Sequence, residues 1–268
     1  MVRNSSAMAA ISTGEERNTD SESRSVLRRT VSIVDAFDGS PRVLSLAELS
    51  HMTRLPKSTV HRYAEQLVEL GWLEREVNGY QVGMRLFEIG GLAGRRERLR
   101  SKARPHLQAL AASSRMAVNL GVLDQTDVVY LERMLLRQFE LPTRDGGRMP
   151  AYCTGIGKAL LAFSDEHEVD RAIERGLQAR TPYTIVVPDV FRAEIADIRE
   201  RGIALDREEA CLGISCVATA VRGSGRAIAA VSVSGPPSKI DVAALAPAVR
   251  KTASHIWSDL FAHTSTRG

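Results

Sequence analysis

The residues best equipped for chemistry at short spacing in this chain are Lys57, Ser58, Thr59, His61 and Arg62. Two cations, two hydroxyls and an imidazole so close together suit phosphate oxygens and base edges. Arg can grip guanine O6 and N7 bidentately, while Lys, Ser and Thr serve phosphates or bases. Arg75, further along, is a cation that can reach a backbone phosphate. A second group is Ser232 and Ser234: on a strand both hydroxyls would share one face, with Val231 and Val233 on the other. Paired hydroxyls can orient a carboxylate; the plain alternative is two solvent-facing serines and an inert core thiol at Cys216. Gly155-Ile156-Gly157-Lys158 is tempting as a phosphate loop, but such a loop needs glycine where Tyr152 stands and Ser or Thr where Ala159 stands. No sequence signature supplies a base for Cys216. The six histidines form no metal-ligand cluster, and Cys153, Cys211 and Cys216 have neither metal spacing nor the even count of a disulfide framework. The reading is therefore a binding protein, not an enzyme, with no cofactor or metal.

These residues need elements to hold them. From Ser25 the pattern is helical, with Leu27, Val31 and Val34 at i, i+4 and i+7 and Ile33 and Phe37 beside them, until Asp38-Gly39-Ser40-Pro41 ends it. Ser45-Leu46-Ala47-Glu48 has the form of a capping box and starts a second helix that runs to about Met52. Leu55-Pro56 restarts the chain, with Pro56 suited to the first position of a third helix ending at Leu70 before Gly71. That helix buries Val60, Tyr63, Ala64 and Leu67 and turns the Lys57–Arg62 set outward, while Leu49, Leu55 and Val60 lock the helix pair from inside. Asn78-Gly79 between strand-like segments predicts a hairpin. Three helices and a hairpin describe a winged helix, whose third helix would present its N-terminal residues to the major groove. Spacing alone also allows the wet face of a protein-binding helix.

Met84 to about Arg100 reads as a charged connecting helix interrupted by Gly90-Gly91. Beyond it, helices over 106–113, 157–163, 190–201 and 240–263 alternate with strands over 118–123, 128–133, 203–206, 216–221 and 227–234. Short hairpins beside flanking helices predict an α+β domain with an antiparallel sheet. The chain of 268 residues thus divides into a disordered tail (1–24), a winged helix-turn-helix (25–84), a linker helix (85–101) and an α+β domain (102–264). The positive charge is densest in the first compact part: residues 24–100 hold thirteen Lys and Arg against nine acids. No apolar run approaches the ~18–20 residues of a membrane span, and residues 1–24 lack the apolar block of a signal peptide, so a cytoplasmic protein is expected.

Leu46-Ala47-Glu48-Leu49, then Leu55-Pro56-Lys57-Ser58-Thr59-Val60-His61-Arg62, then Leu67-Val68-Glu69-Leu70-Gly71-Trp72-Leu73 resemble the DNA-binding motif of the IclR family of transcriptional regulators. Arg54 departs from that pattern, standing where the family usually has glycine in the tight turn. The resemblance extends over residues 25–263 through Gly147 to Ala162, Gly202 to Ala218 with Asp206 and Glu209, and Ala230 to Pro236. It implies a GAF-like effector domain, a homodimer or tetramer, a double-stranded DNA operator and a small-molecule effector, an organic acid. It implies a pocket formed by Thr154, Gly155, Ile156, Asp206, Cys216, Ser232 and Ser234, with Met149 and Ile156 as apolar walls. Pro150-Ala151-Tyr152-Cys153-Thr154 is similar to members that control breakdown of aromatic acids. Repression of a small catabolic operon is the commoner role in such proteins; activation, or DNA binding without a ligand, are the alternatives.

Overall fold

The computed structural model of the chain describes residues 25–38, 43–135 and 143–261. The tail 1–24, the Gly39-Ser40-Pro41 stop and the expected helix end near His263 lie outside the described residues. The chain divides into two compact units after Ala93, and each is taken by itself.

The first unit is built on α1 (Val26–Asp35), α2 (Leu46–Thr53), α3 (Lys57–Glu69), the hairpin β1 (Leu73–Glu76) and β2 (Gly79–Val82), and α4 (Met84–Gly91). Its core joins Ile33, Leu49, Val60, Tyr63, Ala64, Leu67, Leu73 and Tyr80. The capping box at the start of α2 forms as expected: the Glu48 backbone N–H donates to Ser45 Oγ, and the Ser45 backbone N–H donates to a Glu48 carboxylate oxygen at 2.8 Å. The Ser45 hydroxyl also donates to that carboxylate at 2.6 Å, and it and then the Ser45 backbone N–H hold the Glu48 carboxyl below its ordinary range. Between α2 and α3 the Ser50 hydroxyl donates to the Leu55 carbonyl at 2.7 Å, and Arg54 adopts the left-handed conformation, with φ 56° and ψ 23°.

Three details differ from the sequence reading. Pro56 stands at the residue before α3 rather than at its first helical position. On α1 the inward residue is Ile33, whereas Leu27 and Val31 are 75% and 55% exposed, because helical periodicity marks an apolar stripe without saying what covers it. The hairpin loop is Val77-Asn78, one residue earlier than Asn78-Gly79, with Glu76 paired to Gly79. Gly79 serves a close approach instead: a Cβ there would stand 2.1 Å from the Leu44 carbonyl oxygen. That approach lets Leu44 and Tyr80 exchange two backbone hydrogen bonds, each 2.9 Å, tying the wing to the strand-like segment ahead of α2.

The expected connecting helix is two helices. α4 ends at Gly91, after the helix-poor Gly90-Gly91 pair, and α5 (Gly94–Ser114) runs unbroken through Pro105 and absorbs the helix read at 106–113. The second unit continues with β3 (Ala117–Asp124), β4 (Asp127–Met134), β5 (Arg148–Pro150), α6 (Gly155–Ala162), α7 (Glu166–Glu174), α8 (Pro188–Arg201), β6 (Ala204–Arg207), β7 (Ser215–Val221), β8 (Ala229–Gly235) and α9 (Val242–Phe261). The sheet is antiparallel throughout, in the order β5-β4-β3-β8-β7-β6. One face packs Val118, Leu120, Val217, Val231 and Val233 against α5 and α9. The other packs against α6 and α8 through Tyr130, Ile156, Leu160, Phe191, Ile195 and Ala218. β5 and α7 were not read from the sequence: the first is three residues long, and the second is a charged surface helix that buries Val169 and Ala172.

A left-handed non-glycine residue costs ~1–2 kcal/mol, offset in part by the greater freedom that glycine has in the unfolded chain. Arg54→Gly is therefore expected to raise the stability of the first unit by about 0.5–1 kcal/mol, read as a higher urea midpoint with unchanged slope. A lower midpoint would show that the turn carries no strain.

Candidate functional site

In the first unit the α3 residues Lys57, Ser58, His61 and Arg62 are exposed and Thr59 is half-buried. They face away from Val60, Tyr63, Ala64 and Leu67 because the helix repeats every ~3.6 residues. No side chain caps α3, and its first turn holds no acid, so the positive end of the helix adds to the Lys57 and Arg62 charges. Arg62 lies with its guanidinium carbon 5.0 Å from the centre of the Tyr63 ring.

Two residues of the expected set are placed differently. Arg75 on the wing pairs with Glu65 and stacks over the Tyr80 ring, so its charge is already engaged within the unit. Phosphate contact would have to compete with that pairing. His61 has its Nδ1 3.3 Å from the Tyr80 hydroxyl and 3.5 Å from Glu65. Glu65 is held below its ordinary range, first by the Tyr80 hydroxyl, which donates to it at 2.7 Å, and then by Arg75. Tyr80 and Glu65 therefore fix the wing to α3, a role that periodicity gave no sign of.

In the second unit all seven residues expected of the pocket line one cavity of about 40 Å³: Thr154, Gly155, Ile156, Asp206, Cys216, Ser232 and Ser234. Sheet register explains how residues so far apart in sequence meet. Asp206 lies opposite Cys216 across β6 and β7, and Cys216 lies opposite Ser234 across β7 and β8. Two residues along β8 from Ser234, Ser232 lies opposite Asn119 on β3. Strand alternation sends Ser232 and Ser234 to this face and Val231 and Val233 to the other. The start of α6 closes the space from above. The Thr154 hydroxyl accepts from the Gly157 N–H at 3.1 Å, and a Cβ on Gly155 would stand 2.4 Å from Cys216 Sγ. Met149 and Ile156 stand in the wall, as expected.

The sequence reading missed the charge arrangement behind this wall. Lys158 is wholly buried, its Nζ donating to Glu209 at 2.6 Å and Glu194 at 3.0 Å. Asp206 Oδ1 accepts from the Glu209 N–H at 2.8 Å. The hydroxyl of Thr184 donates to the Glu209 carbonyl and that of Thr181 to the Glu208 carbonyl, each at 2.7 Å, bracing the same loop. Burial raises the Asp206 carboxyl to about 7; backbone N–H bonds and Lys158 oppose that rise, and the Glu209 charge adds to it. Burial likewise pushes the Cys216 thiol up to about 12, which makes it a poor nucleophile at neutral pH. Asn119, Tyr130 and Thr143 also line the cavity and were not read from the sequence; Asn119 could have been found because it alternates with Val118 and Leu120, which share the opposite face.

Residues 26–77 match the IclR helix-turn-helix domain, and residues 93–258 match the family described as Bacterial transcriptional regulator IclR C-terminal. The chain belongs to the IclR family. The IclR fold is equally clear in solved structures. An IclR homolog from Microbacterium hydrocarbonoxydans, complexed with 4-hydroxybenzoate, has a TM-score of 0.81 at 28% identity, covering 89% of this chain and 100% of that one. The Thermotoga maritima IclR has a TM-score of 0.70 at 29% identity over 87% and 98%. Among curated relatives, the HTH-type transcriptional regulator XynR of Escherichia coli is 33% identical, covering 82% of this chain and 89% of its own. The transcriptional repressor IclR of the same organism is 31% identical over 80% and 81%. The Pca regulon regulatory protein of Pseudomonas putida is 29% identical over 78% and 73%. This IclR-family member is thus a transcriptional regulator with a DNA-binding helix-turn-helix and an α+β second domain; no helix among its described residues is long and apolar enough to cross a membrane.

An unfolded aspartate ionises near ~4, whereas Asp206 ionises at about 7. The folded protein therefore holds an extra proton between those values, and stability falls as pH rises through that window. Asp206→Asn is expected to melt close to the wild type at pH 4 and above it at pH 8. A melting difference that does not change between the two pH values would show that the carboxyl is not perturbed by its surroundings.

Proposed function

We propose that this regulator is an effector-responsive repressor of a small catabolic operon: the cavity under α6 takes a small organic acid, and its occupancy changes the grip of the α3 face on an operator. The convergence of Thr154, Gly155, Ile156, Asp206, Cys216, Ser232 and Ser234 on one cavity is the observation that carries this reading. The N–H groups opening α6 and the two serine hydroxyls supply donors for a carboxylate; among the described lining residues there is no Lys, Arg or His. As it stands the space holds about three or four waters, which suits an acid of few heavy atoms. A benzoate-sized ring enters after the wall moves. The 4-hydroxybenzoate complex of the Microbacterium homolog supports an aromatic acid.

On the DNA side, Lys57, Ser58, Thr59, His61 and Arg62 supply the groove and phosphate contacts of double-stranded DNA, with Arg75 joining once it exchanges Glu65 for a phosphate. The exposed apolar residues Val26, Leu27 and Val31 on α1 are suited to a second copy of the chain, and a homodimer or tetramer would present two recognition helices to two half-sites. Coupling follows population shift: an acid that prefers one arrangement of the assembly biases operator affinity by 5–150-fold for ~1–3 kcal/mol of coupling. α5, which packs Leu99, Ala103 and Leu107 against the sheet, carries the change toward Gly94.

Arg62→Ala and Lys57→Ala are expected to weaken operator binding without lowering the melting temperature, and log affinity should fall steeply with log salt as phosphate contacts release counterions. Gel-shift titrations that leave both variants at wild-type affinity would remove α3 as the reading element. Ser234→Ala should keep operator affinity while reducing the response to a bound acid at least several-fold. A full response would take that hydroxyl out of the pocket.

A further inference from the structure

The cavity wall holds a polar side chain that the protein leaves half used. Asn119 is 3% exposed, and its Nδ2 donates to Ser232 Oγ and Ser234 Oγ, each at 3.3 Å. Its Oδ1 is buried and has no hydrogen-bond partner among the described residues. Thr143 Oγ1, on the same cavity wall, is likewise buried without a partner. A buried acceptor left unpaired costs free energy that a bound donor recovers, so such an atom on a cavity wall selects for a ligand that brings an O–H or N–H.

The rest of the lining sharpens this. Asp206 is a further acceptor, with its Oδ1 already engaged by the Glu209 N–H. Among the described residues no lining side chain is cationic, and the donors these residues offer a carboxylate are at the start of α6 and at the serine hydroxyls. Asn119 lies on β3, two strands from Cys216 on β7, and the start of α6 stands over Cys216. Neighbouring strands are ~4.8 Å apart, so the acceptor sits about two strand spacings from the α6 end of that donor set and beside its serine end.

We propose that Asn119 is a specificity-determining residue whose Oδ1 accepts a hydrogen bond from a hydroxyl of the effector, making the effector a hydroxylated carboxylic acid rather than a simple one. This rests on the reading of the cavity as the effector pocket. The selection comes from penalty as much as from attraction: an acid without the hydroxyl leaves Oδ1 sealed from water and unpaired, whereas a hydroxy acid satisfies it. Ser232 and Ser234, held by Nδ2, keep the amide from swinging away.

Calorimetric titration of the full chain with matched pairs tests the idea at two sizes, glycolate against acetate and 4-hydroxybenzoate against benzoate. In at least one pair the hydroxylated acid is expected to bind about tenfold or more tightly. Asn119→Leu should bring the two members of that pair to within about twofold, and Asn119→Asp, which keeps an acceptor at the same place, should preserve the preference. Equal binding of hydroxylated and plain acids by the wild type overturns the inference and leaves the pocket standing. A preference that persists in a folded Asn119→Leu overturns it as well. Binding of no member of either pair overturns the pocket reading and the inference together. The wild-type ratio decides the matter even where Asn119→Leu does not fold.

Discussion

One enclosed ammonium, that of Lys158, organises the second unit. Taking a charge out of water costs several kcal/mol, and the cost is recovered only with close, well-directed partners. Lys158 has two, Glu209 at 2.6 Å and Glu194 at 3.0 Å, supplied by the segment after β6 and by α8. The ion group therefore fixes α6 from one side and the Asp206–Glu209 turn from the other. Because the Glu209 N–H in turn holds Asp206, the carboxyl that faces the cavity is placed by a charge that never touches the cavity itself. Breaking such a group leaves acids stranded in a poor solvent, which is why its members act as a unit.

The first unit is held differently, by local backbone devices and a small core. A capping box starts α2, a left-handed Arg54 turns the chain, and an uncapped α3 begins with its positive end exposed. The wing is tied down by the Leu44–Tyr80 backbone pair and by the Tyr80 hydroxyl on Glu65. Each device leaves the outer face of α3 free of packing duties, and that freedom is what a surface that reads another molecule requires.

Much of this was legible in the sequence because the signals were local. Ser45 and Glu48, the inward set Val60, Tyr63, Ala64 and Leu67, and the alternation of Val231 to Ser234 each depend on spacing within a few residues. What escaped depended on partners far along the chain. Lys158 read as a failed phosphate loop because Glu194 and Glu209, its reasons for being buried, lie 36 and 51 positions away. Arg75 read as a free cation because Glu65 and Tyr80 stand on different elements. Gly79 read as a turn residue because the Leu44 carbonyl that it must clear is brought there by the fold.

The alternation along β8 has one more consequence. Val231 and Val233 fill the layer beneath α5 and α9, while Ser232 and Ser234 border the cavity. A shift of one residue in that strand would exchange the two sets, placing hydroxyls in an oily interior and isopropyl groups around the ligand. Folding and recognition are thus encoded by the same parity. Single-residue insertions and deletions within β8 are therefore closed to this protein, and the lining of the cavity changes instead by replacing side chains on the cavity-facing parity or by remodelling the loops at the rim.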